Sequence, residues 1–220
     1  MTTTVITGAS RGIGLELARQ AAARGDDVIA VCRKSTPELE ALGVRIESGI
    51  DVSVQEDVNR LSERLSNTSI DLLINNAGIL SRQSLDKLDF DEIRRQFEVN
   101  SLGPLRVTAA LRGLLKDGAK VGIVSSRMGS VADNTSGGHY GYRMSKAAVN
   151  IAGVSLARDL RDRDISVLLL HPGYVSTDMT NHSGTVKPAD AAAGILARLD
   201  ALTLDNTGTF RHANGEELPW

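Results

Sequence analysis

Short apolar segments alternate with longer stretches of helical period along this chain, and that alternation constrains the fold more than any other feature. Val5-Ile6, Val28 to Cys32, Val44 to Ile46, Ile70 to Ile74, Val121 to Val124 and Ile165 to Leu170 read as strands, and Thr207 to His212 as a seventh. Several are near-continuous apolar runs, as expected of parallel strands covered on both faces. Between them, Gly12 to Arg24 carries Ile13, Leu17, Ala18 and Ala21 on one helical face, and Val54 to Leu65 carries Val58, Leu61 and Leu65. Helices are also expected over Asp91 to Leu115, Tyr140 to Arg161 and Pro188 to Leu202. Strands alternating with helices imply right-handed crossovers, hence a doubly wound parallel sheet of about seven strands with helices on both faces. No linker, repeat or low-complexity tract divides the chain, so one domain over residues 1–220 is expected. The loosest stretch, Asp133 to Gly138, reads as a loop.

Composition removes several function classes. Lys+Arg 25 against Asp+Glu 27 leaves a formal charge of −2, which argues against a nucleic-acid-binding face or a polybasic membrane anchor. Cys32 is the only cysteine, so neither an intrachain disulfide nor a CxxC metal site can form. It reads as a small buried hydrophobe. His139, His171, His182 and His212 lack metal-ligand spacing, and no metal is expected. His139 is close enough to Tyr142 in sequence to line a pocket there. With no basic, apolar leader and no run of about 18 apolar residues, a cytoplasmic protein off the membrane is expected.

The first strand runs into Thr7-Gly8-Ala9-Ser10-Arg11-Gly12-Ile13-Gly14 and then a helix. Gly8 can take the turn, Gly12 lets backbone N–H groups approach a pyrophosphate, and Gly14 permits close helix-strand packing. The spacing is G-x-x-x-G-x-G rather than the common dinucleotide G-x-G-x-x-G, so glycines alone leave a plain tight turn open.

Further motifs follow in order. Asn75-Asn76-Ala77-Gly78 ends the fourth strand, Asn100 sits in a helical stretch, Tyr142-Arg143-Met144-Ser145-Lys146 opens another, and Pro172-Gly173 with Thr177 follows the sixth strand. Together with TGASRGIG this series resembles the short-chain dehydrogenase/reductase family, with its NNAG, YxxxK and PG motifs, and spans nearly every crossover. Ser125 to Ser130, the DNTSGG stretch and the Leu218-Pro219-Trp220 ending resemble its C-factor and sniffer-type carbonyl reductase branch. The resemblance implies a Rossmann-type fold and an oxidoreductase interconverting a carbonyl compound and its alcohol. It implies cofactor contacts from Gly8, Ser10, Arg11, Gly12, Ile13 and Gly14, and from Asn76, Ala77 and Gly78. It adds Pro172, Gly173, Val175 and Thr177 at the far side, and the adenine-contacting pair Asp51-Val52.

An NAD site of this type wants an acidic residue ~20 positions past the glycines, on the ribose 2′-hydroxyl. Here the second strand ends in Cys32-Arg33-Lys34, with Asp26 and Asp27 at its other end. A guanidinium instead suits a 2′-phosphate. Arg33 supplies one and Arg11 a second, so NADP(H) is the expected cofactor. The resemblance agrees, since NADP-using members often carry basic residues at both places.

Carbonyl reduction also needs a proton. A free tyrosine, with a pKa of about 10, is a poor donor near neutrality. Lys146 lies four residues after Tyr142, next to it on a helix face, where an ammonium favours the phenolate. By resemblance Tyr142 is the proton donor or acceptor, Lys146 also grips the nicotinamide ribose, and Asn100 holds a water joining Lys146 to solvent. Ser126 is the expected carbonyl-polarising hydroxyl, with the extra residues before Tyr142 absorbed in the DNTSGG loop and Ser130 as the alternative. Only nine residues, Met179 to Lys187, precede the helix at Pro188, too few for a helical lid. An open site is expected, edged by Leu80 and Arg82 and accepting small aldehydes, ketones or quinones. A dinucleotide-binding signalling protein with little turnover is the competing reading. Pairing through the two long helices into a homodimer is expected by resemblance.

Overall fold

The computed structural model describes residues 1–220. Seven strands, β1 (Thr3–Thr7), β2 (Asp27–Val31), β3 (Arg45–Glu47), β4 (Ile70–Asn75), β5 (Leu115–Val124), β6 (Ser166–His171) and β7 (Thr209–His212), form one sheet in the order β3-β2-β1-β4-β5-β6-β7. Every pairing is parallel, with Val5 beside Ile29 on one side and Leu73 on the other. The helices are α1 (Gly12–Ala23), α2 (Pro37–Glu40), α3 (Gln55–Arg64), α4 (Phe90–Phe97), α5 (Gly103–Leu111), α6 (Tyr140–Asp159) and α7 (Pro188–Asp200).

Alternating side chains feed two separate apolar layers. Ile6, Val28, Ala30 and Leu168 meet Leu17, Ala18, Ile195 and Leu199 from α1 and α7. Val5, Ile29, Leu73 and Val121 meet Val58, Leu61, Val107 and Val149 from α3, α5 and α6. Chain order reverses between β1 and β4, so their carboxyl ends diverge into a crevice, where open α/β sheets bind ligands. No helix is long and apolar enough to cross a membrane.

The expected helix over 91–115 is corrected. Asp89 starts α4 by accepting hydrogen bonds from the N–H groups of Asp91 and Glu92, each at 3.0 Å. The helix then widens into a π turn over Glu98–Leu102, with Gly103 N–H reaching back to Glu98 O. Pro104 explains the widening: lacking an N–H, it cannot serve the Asn100 carbonyl four residues back. Leu115 belongs to β5, which begins earlier than its apolar core because Leu115 pairs with Ile70 ahead of a register shift. The short α2 was not expected. It rests on Thr36, whose Oγ1 accepts from Leu39 N–H, and on Pro37 at its first position.

Candidate active site

The phosphate loop is held by glycine geometry. Gly8 takes φ +67°, and a Cβ there would lie 2.8 Å from Ala77 Cα. A Cβ on Gly14 would fall 2.2 Å from Gly8 O and 2.6 Å from Asn76 Nδ2. Thr7 and Asn76 lock this contact: Thr7 Oγ1 accepts from the N–H groups of Asn76 and Ala77, and Asn76 Nδ2 donates to the carbonyls of Thr7 and Gly8. The reading of the sequence missed Thr7, whose signal was its place just before Gly8.

A cleft of about 1090 Å³ opens above this junction. All the expected phosphate-loop residues line it, as do Arg33, Asp51, Val52, the Asn76-Ala77-Gly78 turn, Tyr142, Lys146, Pro172 and Thr177. Gly173 and Val175 stand back from this lining. Gly173 turns at φ +92° against Val186 and His212, and buried Val175 bridges to Val186 in place of facing the cleft. Lys34 and Ser35 line it beside Arg33, and Ser35 Oγ is buried without a partner. The two expected 2′-phosphate cations each lean on a carboxylate. Arg33 stands 3.8 Å from Asp51, and Arg11 donates to Asp178 at 2.9 Å.

At the deep end, α6 carries Tyr142 and Lys146, both buried. Ser126 starts a 3₁₀ turn (Arg127–Gly129) at the end of β5, accepts from Met128 N–H at 3.2 Å, and stands beside Tyr142. A Cβ on Gly129 would strike the Lys146 backbone at 2.6 Å, so no side chain fits there. Ser130 is spent on Asp133 N–H, and Ser125 donates to Asn150. Lys146 Nζ donates to Val124 O at 2.8 Å and lies 5.8 Å from the Tyr142 ring centre.

Burial dominates both titrations. It pushes Lys146 down to about 8 and holds Tyr142 above its ordinary value, the neighbouring Ser126 side chain opposing only in part. The expected lowering of Tyr142 by Lys146 is therefore corrected: the ammonium points to Val124 and burial prevails. Asn100 Oδ1 accepts from Ile79 N–H at 2.8 Å, and its Nδ2 donates to Ile79 O and to Ser145 Oγ, leaving that side chain committed to protein.

Two loops flank the amino end of α6 outside the cleft lining, and His139, Leu80 and Arg82 are not among the residues that line the cleft. His139, at φ 50°, donates its N–H to Gln83 O, and Gln83 Oε1 accepts from Gly141 N–H, tying the Arg82 segment to α6. Arg143 bonds to the carbonyls of Gly137 and Met128 and to Ser136, holding the DNTSGG loop. Beyond the sixth strand, only a 3₁₀ turn (Asp178–Thr180) stands in the strap before α7, so no helical lid is built.

Comparison with known proteins agrees with this architecture. Residues 2–187 match the family described as short chain dehydrogenase. The chain is 47% identical over 227 residues to the 1-hydroxy-2-glutathionyl-2-methyl-3-butene dehydrogenase of Rhodococcus sp. (strain AD45), covering all of both chains. It is 46% identical over 154 residues to the C-signal protein of Myxococcus xanthus, covering 69% of this chain and 93% of the other. Among solved structures, a carbonyl reductase from Pseudomonas aeruginosa PAO1 in complex with NADP superimposes at a TM-score of 0.84, with 34% identity and full coverage of both chains.

Proposed function

Because the chain belongs to the short-chain dehydrogenase family, we propose that it is an NADP(H)-dependent oxidoreductase interconverting an aldehyde, ketone or quinone and its alcohol. One observation carries the reading: the Tyr142 phenol lines the cleft with the Ser126 side chain beside it, one helical turn from buried Lys146. Two such donors converge on one carbonyl oxygen and polarise it.

The residues present fit a 2′-phosphorylated dinucleotide. No carboxylate stands at the end of β2, where Arg33, Lys34 and the unpartnered Ser35 hydroxyl face the cleft instead. The glycine contacts at 8 and 14 leave backbone N–H groups free of side-chain obstruction for a pyrophosphate. Bound there, the cofactor supplies or accepts the hydride. The NADP complex of the P. aeruginosa reductase is consistent with this assignment.

Within this reading, Tyr142 is the catalytic acid. Burial keeps its phenol protonated at neutral pH, ready to protonate the alkoxide that develops on the substrate oxygen. Lys146, pushed down to about 8, gains or loses a proton close to neutrality, which suits it to recharge Tyr142. Asn100 acts as a positioning residue: by holding Ile79 and Ser145 it fixes the wall beside Lys146. With no helical lid, the site accepts varied small carbonyl compounds, and the thioether alcohol named for the Rhodococcus relative belongs in the same test panel. Residues 1–220 act as one catalytic unit in the cytoplasm. The stripes Met144, Ile151 on α6 and Leu102, Leu105 beside them stay exposed, and pairing through them makes a homodimer.

The test is NADPH consumption with a panel of aldehydes, ketones and quinones. Tyr142→Phe is expected to cut turnover by roughly 10²–10⁴-fold while the nucleotide still binds. Substantial turnover by the phenylalanine variant would overturn the assignment. A second reading, dinucleotide-linked signalling, draws on the 46% identity to C-signal. It is favoured if nucleotide binds and no member of the panel is turned over.

A further inference from the structure

The strap between β6 and α7 crosses towards the phosphate loop and touches it. Thr177 packs on Gly12, where a Cβ would sit 3.3 Å from Thr177 Cγ2. Next to that contact, Arg11 Nη1 donates to Asp178 Oδ2 at 2.9 Å, the one polar tie between the two segments. Asp178 is itself fixed. Thr177 and Thr180 cap the turn reciprocally, Thr180 Oγ1 donates to Val175 O at 2.7 Å, and His182 Nε2 lies 3.1 Å from Asp178 Oδ1. Arg11, Asp178 and His182 all line the cleft.

Resting on the NADP(H) reading above, we infer that Asp178 competes with the cofactor's 2′-phosphate for Arg11, so that the strap sets how strongly this protein distinguishes NADP(H) from NAD(H). Arg11 has one guanidinium and two claimants of like charge. The Asp178 carboxylate at Nη1 offsets part of the charge that a 2′-phosphate would meet at Arg11, whereas a dinucleotide with a free 2′-hydroxyl draws on no such charge. Arg33 faces a weaker rival, Asp51 at 3.8 Å, and supplies the base preference. Asp178 therefore lowers the NADPH preference below what two free arginines would give, and retention of the strap and recognition of the 2′-phosphate oppose each other.

The size of the effect follows from exposure. The side chains of Arg11 and Asp178 are 70% and 58% exposed. An exposed ion pair of this kind corresponds to a change of about two- to five-fold in an equilibrium constant. Both groups stand at the surface, so Asp178→Asn and Arg11→Gln preserve shape and leave the core untouched.

The experiment is a double-mutant cycle on nucleotide binding, with no turnover involved. Dissociation constants for NADPH and NADH are measured by titration calorimetry for wild type, Asp178→Asn, Arg11→Gln and the double variant. Asp178→Asn is expected to raise the NADPH-to-NADH affinity ratio about two- to five-fold, and to leave it unmoved in the Arg11→Gln background. A ratio that Asp178→Asn leaves unchanged, or shifts equally in both backgrounds, overturns the proposal while a wild-type preference for NADPH leaves the cofactor reading standing. Equal affinities for the two nucleotides in wild type and in Asp178→Asn overturn both.

Discussion

The two lips of the cleft are built by different means. On the β1–β4 side the phosphate loop and the Asn76-Ala77-Gly78 turn are pressed together backbone to backbone, and Thr7 and Asn76 hold them with four hydrogen bonds. On the β5–β6 side, the strap closes on itself through backbone bonds, Ser176 N–H to Val186 O and Val186 N–H to Tyr174 O, and meets the phosphate loop at the exposed Arg11–Asp178 pair, whereas the DNTSGG loop leans on Arg143. Gly8 and Gly14 in the first lip leave no room for a methyl group, and neither does Gly184 in the strap, while Gly137 in the DNTSGG loop meets nothing within 4 Å. Tightness thus sits where an invariant group of a cofactor would lie, and slack where substrates would differ.

The comparison can be broken hardest at Gly14. A Cβ there must displace the Gly8 carbonyl and Asn76 together, so Gly14→Ala is expected to cost ~3 kcal/mol or more and to abolish nucleotide binding. Urea unfolding and a nucleotide titration check both effects. Unaltered stability would mean that the two backbones can separate freely.

The root of the loose lip is a second place to press. His171, the last residue of β6, is half-buried edge-on to His212 at 5.0 Å, and its Nδ1 is buried without a partner. Burial, helped by His212 and Arg127, pushes its pKa down to about 3. The unfolded chain takes up this proton below about 6.5 and the folded chain only near 3, so stability falls as pH drops through that window. From pH 7 to 5 the loss from this group is expected to be ~2 kcal/mol. Denaturation midpoints across that range should show it, and His171→Leu should flatten the dependence.

Smaller changes sharpen the contrast. Arg33→Ala is expected to weaken NADPH about tenfold, roughly 1.4 kcal/mol, and NADH hardly at all, read by titration of both. Gly137→Ala, at φ +63° in open space, should cost only ~1 kcal/mol through backbone strain and leave nucleotide affinity unchanged. The same glycine-to-alanine change would then differ about threefold or more between the lips.

The legibility of the sequence follows the same division. The strands, the doubly wound order and the cleft-lining glycines could be read because backbone contact demands particular residues: nothing but glycine fits at positions 8 and 14. Side-chain support is permissive and left little trace. Gln83 and Gln96, whose amide oxygens accept from the N–H groups of Gly141 and Ser81, look like any surface glutamine in the sequence. Gly173 and Val175 sit inside a recognisable motif, yet the tight turn back to Val186 aims them away from the cleft. The break in the helix over 91–115 did have a signal, Gly103-Pro104, that amphipathic periodicity overrode. The titration of Tyr142 was misjudged because adjacency on a helix says nothing about where Lys146 donates, which is to Val124.

The strand order has a further consequence for how the chain is made. β1 lies between β2 and β4, so the tight lip cannot exist until residue 78 has been synthesised. From then on each new strand adds to one side in chain order, β5 on β4, β6 on β5 and β7 on β6. A nascent chain emerging amino end first can therefore extend its sheet one strand at a time, without reopening pairs already formed. Until the last strand arrives, the growing edge is an unpaired apolar strand, the state in which such a chain is most prone to aggregate during translation.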